Sequence, residues 1–285
     1  MITQKTLYMN LPDCLRLAND EVELIVTTAI GPRILRYAFV ANGENILGEH
    51  PDAAVQTTVG EWKPRGGHRL WIAPENMPNS YVPDNSPIEY LVDDRANTMR
   101  LIQPVDPVTK TQKEIIITLA ERGSKVTLEH QITNCGEVEL ELAAWSLTIM
   151  RGGGTAIVPN EPFAPYSPQT LLPVRNLTLW SYTDLTDPRW SFEAGEIRLR
   201  VDDALTNPQK IGVLDKQGWA AYEWQDLRFV KRFEFVENAV YPDYNSNLEL
   251  YTAGSFVEVE TLSPLVKLPP QQSIVHFEWW ELGQI

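Results

Sequence analysis

Basic residues are scarce in this sequence. Twenty-four Lys and Arg stand against 38 Asp and Glu among 285 residues, a formal net charge of −14. No basic run is longer than Lys231-Arg232. Phosphate backbones are held by clustered Lys and Arg, and so are anionic membrane surfaces. Neither nucleic acid nor a membrane is therefore expected as a partner. Cysteine is scarcer still: Cys14 and Cys135 lie 121 positions apart with no CxxC. A disulfide framework and a Cys-based zinc site are both unsupported, and two unpaired thiols in a reducing compartment are expected. The four histidines form no HxxxH or HExxH pattern, so a zinc enzyme is unsupported. The phosphate-binding loop, the dinucleotide fingerprint and the Gly-x-Ser-x-Gly elbow are missing as well. Neither a metal nor a cofactor is expected. No stretch approaches the ~20 consecutive apolar residues of a membrane span. The opening Met1-Ile2-Thr3-Gln4-Lys5 has neither the basic region nor the apolar core of a signal peptide, and a cytoplasmic setting is expected.

Helical patterning is absent too; strand patterning fills the chain. Runs at 22–26, 34–39, 114–119, 125–132, 139–149, 197–201, 228–235, 248–251, 256–261 and 274–280 alternate or are rich in β-branched and aromatic residues. Between them stand turn signals such as Arg122-Gly123-Ser124, Lys216-Gln217-Gly218 and most of the 21 prolines. Strands that do not alternate with helices argue against a doubly wound parallel sheet. The expected fold is all-β, an antiparallel sandwich with long loops. Hydrophobic residues make up 43% and aromatics number 27, enough for a sizeable core. No repeat or low-complexity linker divides the chain, so 1–285 is expected to form one domain, with the stretch from Pro159 to Pro188 as a decorated insertion.

Two regions carry chemistry-bearing side chains. The first is Lys63-Pro64-Arg65-Gly66-Gly67-His68-Arg69-Leu70-Trp71-Ile72-Ala73-Pro74-Glu75. Read as a loop, it gathers Arg65, His68, Arg69 and Trp71 around two glycines that let a ligand approach the backbone. Arg offers forked donors for hydroxyls or a carboxylate, and Trp a face on which a sugar ring can stack. Solvated charges on a hairpin corner are the bland alternative. The second is the strand pair around Leu248 and Val257. Period two puts Asn247, Glu249 and Tyr251 on one face, Phe256, Glu258 and Glu260 on another, and turns Val257 and Val259 toward the core. Such a face is solvent surface or the floor of a polar cleft. Neighbouring carboxylates raise one another's pKa, which suits a general base near neutral pH. Lys210, Trp219, Tyr222, Lys231 and Arg232 are lesser candidates. His130 and His276 read as strand residues, and His50 shows no partner.

Ile30-Gly31-Pro32-Arg33-Ile34-Leu35 with Asn45-Ile46-Leu47 resembles the first hairpin of the galactose mutarotase-like (aldose 1-epimerase) superfamily, and the whole sequence most resembles a bacterial branch of it. Arg65-Gly66-Gly67 resembles the Arg-Gly-Gly of the hexose-phosphate mutarotases. Glu260-Thr261 matches the Glu-Thr pair that carries the catalytic carboxylate. The resemblance implies an antiparallel β-supersandwich with a concave sugar-binding face. It implies that Glu260 removes the anomeric hydroxyl proton while an acid protonates the ring oxygen. The ring opens, the C1–C2 bond rotates and the ring closes on the other face. It also implies that Arg65 binds substrate. The pattern departs from the family at Trp145, which stands where the family has its acid His, and at Asn79, Ser80 and Tyr81, where a His-Gly is missing. His68 is then the candidate for a relocated acid, and Trp145 for a stacking platform.

Three readings stay open. One is an anomer-interconverting enzyme with Glu260 as base and His68 as acid. It would bind a small carbohydrate through Arg65, Arg69, Trp71, Trp145, Lys210, Asn247, Glu249 and Glu258. The second is a sugar-binding protein without catalysis. The third is a lyase- or hydrolase-like enzyme on oligosaccharides that uses Tyr251, Glu249 and Glu258. Fold alone does not choose among them.

Overall fold

The computed structural model describes residues 2–41, 43–50 and 52–285. Among these residues two large sheets form, and every strand pairing within them is antiparallel. The first has eleven strands, running Ile2–Tyr8, Leu11–Ala18, Val22–Thr27, Arg33–Phe39, His68–Ala73, Leu140–Met150, Val257–Leu262, Leu248–Thr252, Gln209–Val213 and Leu177–Leu179. The eleventh strand, Val266–Leu268, pairs with the start of Leu140–Met150. The second sheet has ten: Glu89–Asp93, Thr98–Ile102, Thr111–Leu119, Val126–Asn134, Ser273–Gln284, Leu227–Phe233, Trp219–Trp224, Thr155–Pro159, Glu196–Arg200 and Trp190–Phe192. All ten runs read from the sequence fall on strands. The helical content is a 3₁₀ turn at Asn79–Tyr81 and a four-residue turn at Pro242–Asn245. No helix among the described residues is long and apolar enough to cross a membrane. Both cysteines are unpaired.

The sheets pack face to face over a common core. Val126–Asn134 shows why: alternate residues such as Leu128 and Ile132 are buried while their neighbours are only half-buried. Tyr37 of the first sheet meets Phe229 and Trp280 of the second at ring-centre distances of 6.2 and 6.0 Å, the offset contacts aromatic rings prefer. Val257 and Val259 point into this core, as their alternation predicts. Two central strands of the first sheet depart from alternation. Leu140–Met150 is buried almost throughout and Val257–Leu262 completely. One face of each strand packs the core; the other forms the floor of a cleft.

The stretch from Lys63 to Glu75, expected as a loop, is mostly strand. His68–Ala73 runs buried between Arg33–Phe39 and Leu140–Met150. The glycines ahead of it are where the chain makes a close approach. Gly66 and Gly67 have φ of +95° and +66°. A Cβ on either would lie 2.1 Å from a carbonyl oxygen, that of Gly48 or of Ile34. Gly67→Ala is thus expected to destabilise the protein by about 1–3 kcal/mol or more, since strain and overlap add. An unchanged urea midpoint would contradict that account.

Candidate functional site

Alternation in the central strands decides which side chains meet. From His68–Ala73 the odd positions Arg69 and Trp71 face away from the core. Leu140–Met150 sends Trp145, Leu147 and Ile149 the same way, and the strands at 248–252 and 257–262 add Tyr251, Glu258 and Glu260. Lys210 joins them from Gln209–Val213. Excursions from the body of the sandwich bring His50, Trp62, Glu75, Tyr81 and Tyr182 over this floor. Together they enclose a cleft of about 470 Å³, within the size range of small-molecule sites.

One wall is aromatic. Trp62, Trp71 and Tyr81 meet edge to face at 4.7–5.4 Å, and Trp71 continues to Trp145 at 5.4 Å. The Arg69 guanidinium lies 4.6 Å from the Trp71 ring centre and 5.3 Å from that of Trp62, close enough for cation–π attraction. Its Nη2 donates to Glu258 Oε1 at 3.0 Å. Nε and Nη1 are buried and find no acceptor in the protein. Buried donors are normally satisfied, and these two nitrogens are exceptions.

The other end is ionic. Glu249 and Glu260 lie directly opposite each other in adjacent strands. Lys210 Nζ stands 2.8 Å from Glu249 Oε2 and 3.1 Å from Glu260 Oε2. It also lies 4.7 Å from the ring centres of both Trp145 and Trp180. Trp145 Nε1–H donates to Glu260 Oε2 at 3.0 Å. All three charged groups are buried. Burial pushes both carboxyls up, against the pull of Lys210, with Glu249 at about 7 and Glu260 well above the ordinary value. Burial alone would lower the Lys210 ammonium, but the two carboxylates reverse this and hold it well above the usual lysine range. Two carboxylates around one ammonium leave an excess negative charge, so the pair holds a proton readily and titrates as a unit.

The structure brings Glu260, Arg69, Trp71, Trp145, Lys210 and Glu258 to one cleft, and Glu249 sits at its ionic end against Lys210. Three expected residues are elsewhere. His68 does not reach the cleft, which corrects its expected role as acid partner of Glu260. Adjacent residues of a strand point to opposite faces, so His68 leaves on the core side while Arg69 leaves on the cleft side. There its Nδ1 meets Thr148 Oγ1 at 2.8 Å and its Nε2 meets His130 Nε2 at 2.7 Å. Arg65 is turned to Asn85 Oδ1 at 2.9 Å and is not among the residues that line the cleft. Asn247 is buried in a backbone clamp, accepting from the Asp215 N–H at 2.6 Å and donating to the Asp215 carbonyl at 2.8 Å. His50 is the histidine that does line the cleft. Its ring lies 4.9 Å from Phe256, and burial lowers its pKa. Nothing near it in the sequence signals this, because its neighbours in space come from the far end of the chain.

His68, His130 and Glu278 place ligand-type atoms within 4.8 Å of one another. That cluster lies between the sheets, and Lys231 Nζ already sits 2.9 Å from Glu278 Oε1. The ammonium supplies the positive charge a metal ion would bring.

No family model matches the sequence, and no curated protein matches it. Solved structures do. A galactose mutarotase-like protein from Lactobacillus casei superposes with a TM-score of 0.61 at 10% identity, over 95% of this chain and 100% of that one. A galactose mutarotase-like protein from Clostridium acetobutylicum gives 0.54 at 12%, over 100% and 99%. A galactose mutarotase related enzyme from Lactobacillus acidophilus gives 0.57 at 6%, over 95% and 97%. The chain has the fold of the galactose mutarotase-like sandwiches, as its sequence resemblance implied.

Proposed function

We propose that this sandwich binds a sugar in the cleft and interconverts its anomers, with Glu260 as the base. The carrying observation is the juxtaposition, in one cavity of monosaccharide reach, of an aromatic wall, unpartnered Arg69 donors and the buried Lys210–Glu260 pair, with Glu249 behind Lys210. The ring stacks on indole faces, and Arg69 and Glu258 take hydroxyls. Glu260 removes the proton of the anomeric hydroxyl. The Lys210 ammonium, 3.1 Å from that carboxylate, gives a proton to the ring oxygen in place of a histidine. The C1–O5 bond opens to the aldehyde, the C1–C2 bond turns, and the protons return as the ring closes on its other face. A raised carboxyl pKa suits this base, because basicity rises with it.

The pH dependence follows. The base must be ionised, and burial together with Glu249 opposite it raises its pKa. Anomer exchange is therefore expected to rise with pH and to level once the base is ionised. Exchange NMR between α and β peaks, run from pH 5 to 9 on a panel of aldoses, reads this directly. A rate that falls with rising pH would remove Glu260 as base. The second reading, binding without catalysis, is favoured by the engagement of Glu260 Oε2 with both Trp145 and Lys210. It predicts broadened sugar lines with no exchange.

A further inference from the structure

The stretch from Pro159 to Pro188 serves the cleft near its end, where the Trp180 ring lies over Lys210 and Tyr182 lines the cavity. Its first half is built differently. Arg175 closes a neck: its guanidinium donates to the Pro159 carbonyl at 2.6 Å and to Asn160 Oδ1. Within the neck the chain makes a compact loop. Thr170 ties it internally, donating from its hydroxyl to the Pro165 carbonyl at 3.0 Å and accepting from the Ser167 N–H at 2.8 Å. Pro162, Pro165, Pro168 and Pro173 fix φ along it.

A compact surface loop normally packs on its own side chains. This one turns its apolar side chains outward. Phe163, Tyr166, Leu171, Leu172 and Val174 are between 58 and 89% exposed. Tyr244, 90% exposed, adjoins the neck, where its carbonyl accepts from Asn176 Nδ2 at 2.8 Å. It has φ of +55° between Asp243 and Asn245, which are also left-handed, a conformation rare for a bulky residue. At roughly 150–250 Å² for a side chain of this size, the five loop residues alone offer on the order of 700 Å². That exceeds the ~300–600 Å² of the largest apolar patch on a typical monomer. It approaches the ~800 Å² that each partner gives to a specific interface.

Charge selects the occupant. From Phe163 to Leu179 the only charged residue is Arg175, and its guanidinium is engaged at the neck. Two chains of net charge −14 repel over most of their surface; on this face they meet without like charges. A basic partner would find its counter-charges elsewhere. Shape points the same way. A groove of about 570 Å³ lies in the same loop, lined by Phe163, Leu172 and Val174 among others, while Tyr166 and Leu171 stand exposed outside it. A two-fold interface needs knob and hole on one patch, since that patch must complement itself.

We infer that this face docks a second copy of the chain. The loops of two protomers meet across a two-fold axis, and Tyr166 and Leu171 of each sit in the groove of the other. The inference is independent of the sugar-binding reading.

Sedimentation velocity over a dilution series of the full chain tests it. The concentrated protein is expected to sediment with twice the chain mass of 32.4 kDa and to dissociate on dilution. Added salt screens the repulsion between like-charged copies and is expected to tighten the dimer. Tyr166→Asp and Leu172→Asp each place a charge at an exposed position and are expected to raise the dissociation constant about 30-fold or more, with an unchanged urea midpoint. Leu91→Asp, at another exposed leucine, is expected to leave association as it was. A parent chain that is monomeric at every concentration overturns the inference and leaves the face to a different partner. A dimer that both loop variants keep at parent strength overturns it, as does one that Leu91→Asp weakens equally. Association that salt weakens would rest on charged contacts, and overturns it too.

Discussion

Glu260→Gln is expected to slow anomer exchange by about 10²–10⁴-fold, the usual contribution of a positioned general base, while sugar affinity changes little. The substitution keeps the shape of the side chain and an oxygen to accept from Trp145 and Lys210. It removes the proton-accepting charge. It also leaves Glu249 as the sole carboxylate beside Lys210, and with its like-charged neighbour gone Glu249 ionises more easily. The readouts separate the two roles: exchange NMR follows chemistry, and calorimetry follows binding. Exchange that survives in the variant at the parent rate would exclude Glu260, and the search for a base would move to Glu258. Loss of binding together with exchange would instead mark Glu260 as a sugar ligand.

The second large effect concerns stability and lies on the other side of the same strands. Glu278 is fully buried between the sheets. Its Oε1 accepts from Ser146 Oγ at 2.6 Å and Thr261 Oγ1 at 2.5 Å and lies 2.9 Å from Lys231 Nζ; its Oε2 accepts from Trp280 Nε1 at 2.8 Å. Burial would raise this carboxyl, but Lys231 and its other neighbours hold it well below the usual range. His276 donates toward Thr261 and His130 toward the His276 carbonyl, which leaves His130 Nε2 to accept from His68. This assignment accounts for these contacts with neutral imidazoles, and burial lowers the pKa of all three.

Lys231→Met strands the Glu278 charge in the core. Breaking a buried pair from one side costs about 3–5 kcal/mol, a large share of a domain's total stability. The sign of the pH effect is fixed. Without its ammonium partner the folded-state pKa of Glu278 rises above the unfolded value near 4.3. The stability deficit of the variant should therefore grow as pH rises above that value and shrink as acid protonates Glu278. Urea unfolding of parent and variant at pH 5 and pH 8 checks this. The double variant Lys231→Met, Glu278→Gln should regain part of the loss, because no bare charge remains. A deficit below about 1 kcal/mol at pH 8 would mean that the pair is not essential to the core.

The sequence by itself determined the strand content and the character of the two sheets. Alternation at Val257 and Val259 assigned the core face, and the same alternation put Glu258 and Glu260 together on the other. These signals are local: a strand's period is written in consecutive residues. The charge deficit likewise needed no structure to argue against a nucleic-acid partner. Tertiary structure decided which candidates meet. Lys210, Trp145 and Glu260 stand out separately in the sequence, and only the order of strands in the first sheet brings Gln209–Val213, Leu140–Met150 and Val257–Leu262 close enough to join them. His50 and Trp62 join the cleft from excursions whose placement no periodicity records. The stretch around His68 shows the limit most directly. His68 and Arg69 are consecutive, and composition read as a loop makes them partners. Once the segment is a strand, the pleat sends them to opposite sides of a sheet, Arg69 to the cleft and His68 to the interior. Whether that segment is loop or strand depends on the neighbours that hydrogen-bond to it, Arg33–Phe39 and Leu140–Met150, which lie far away along the chain.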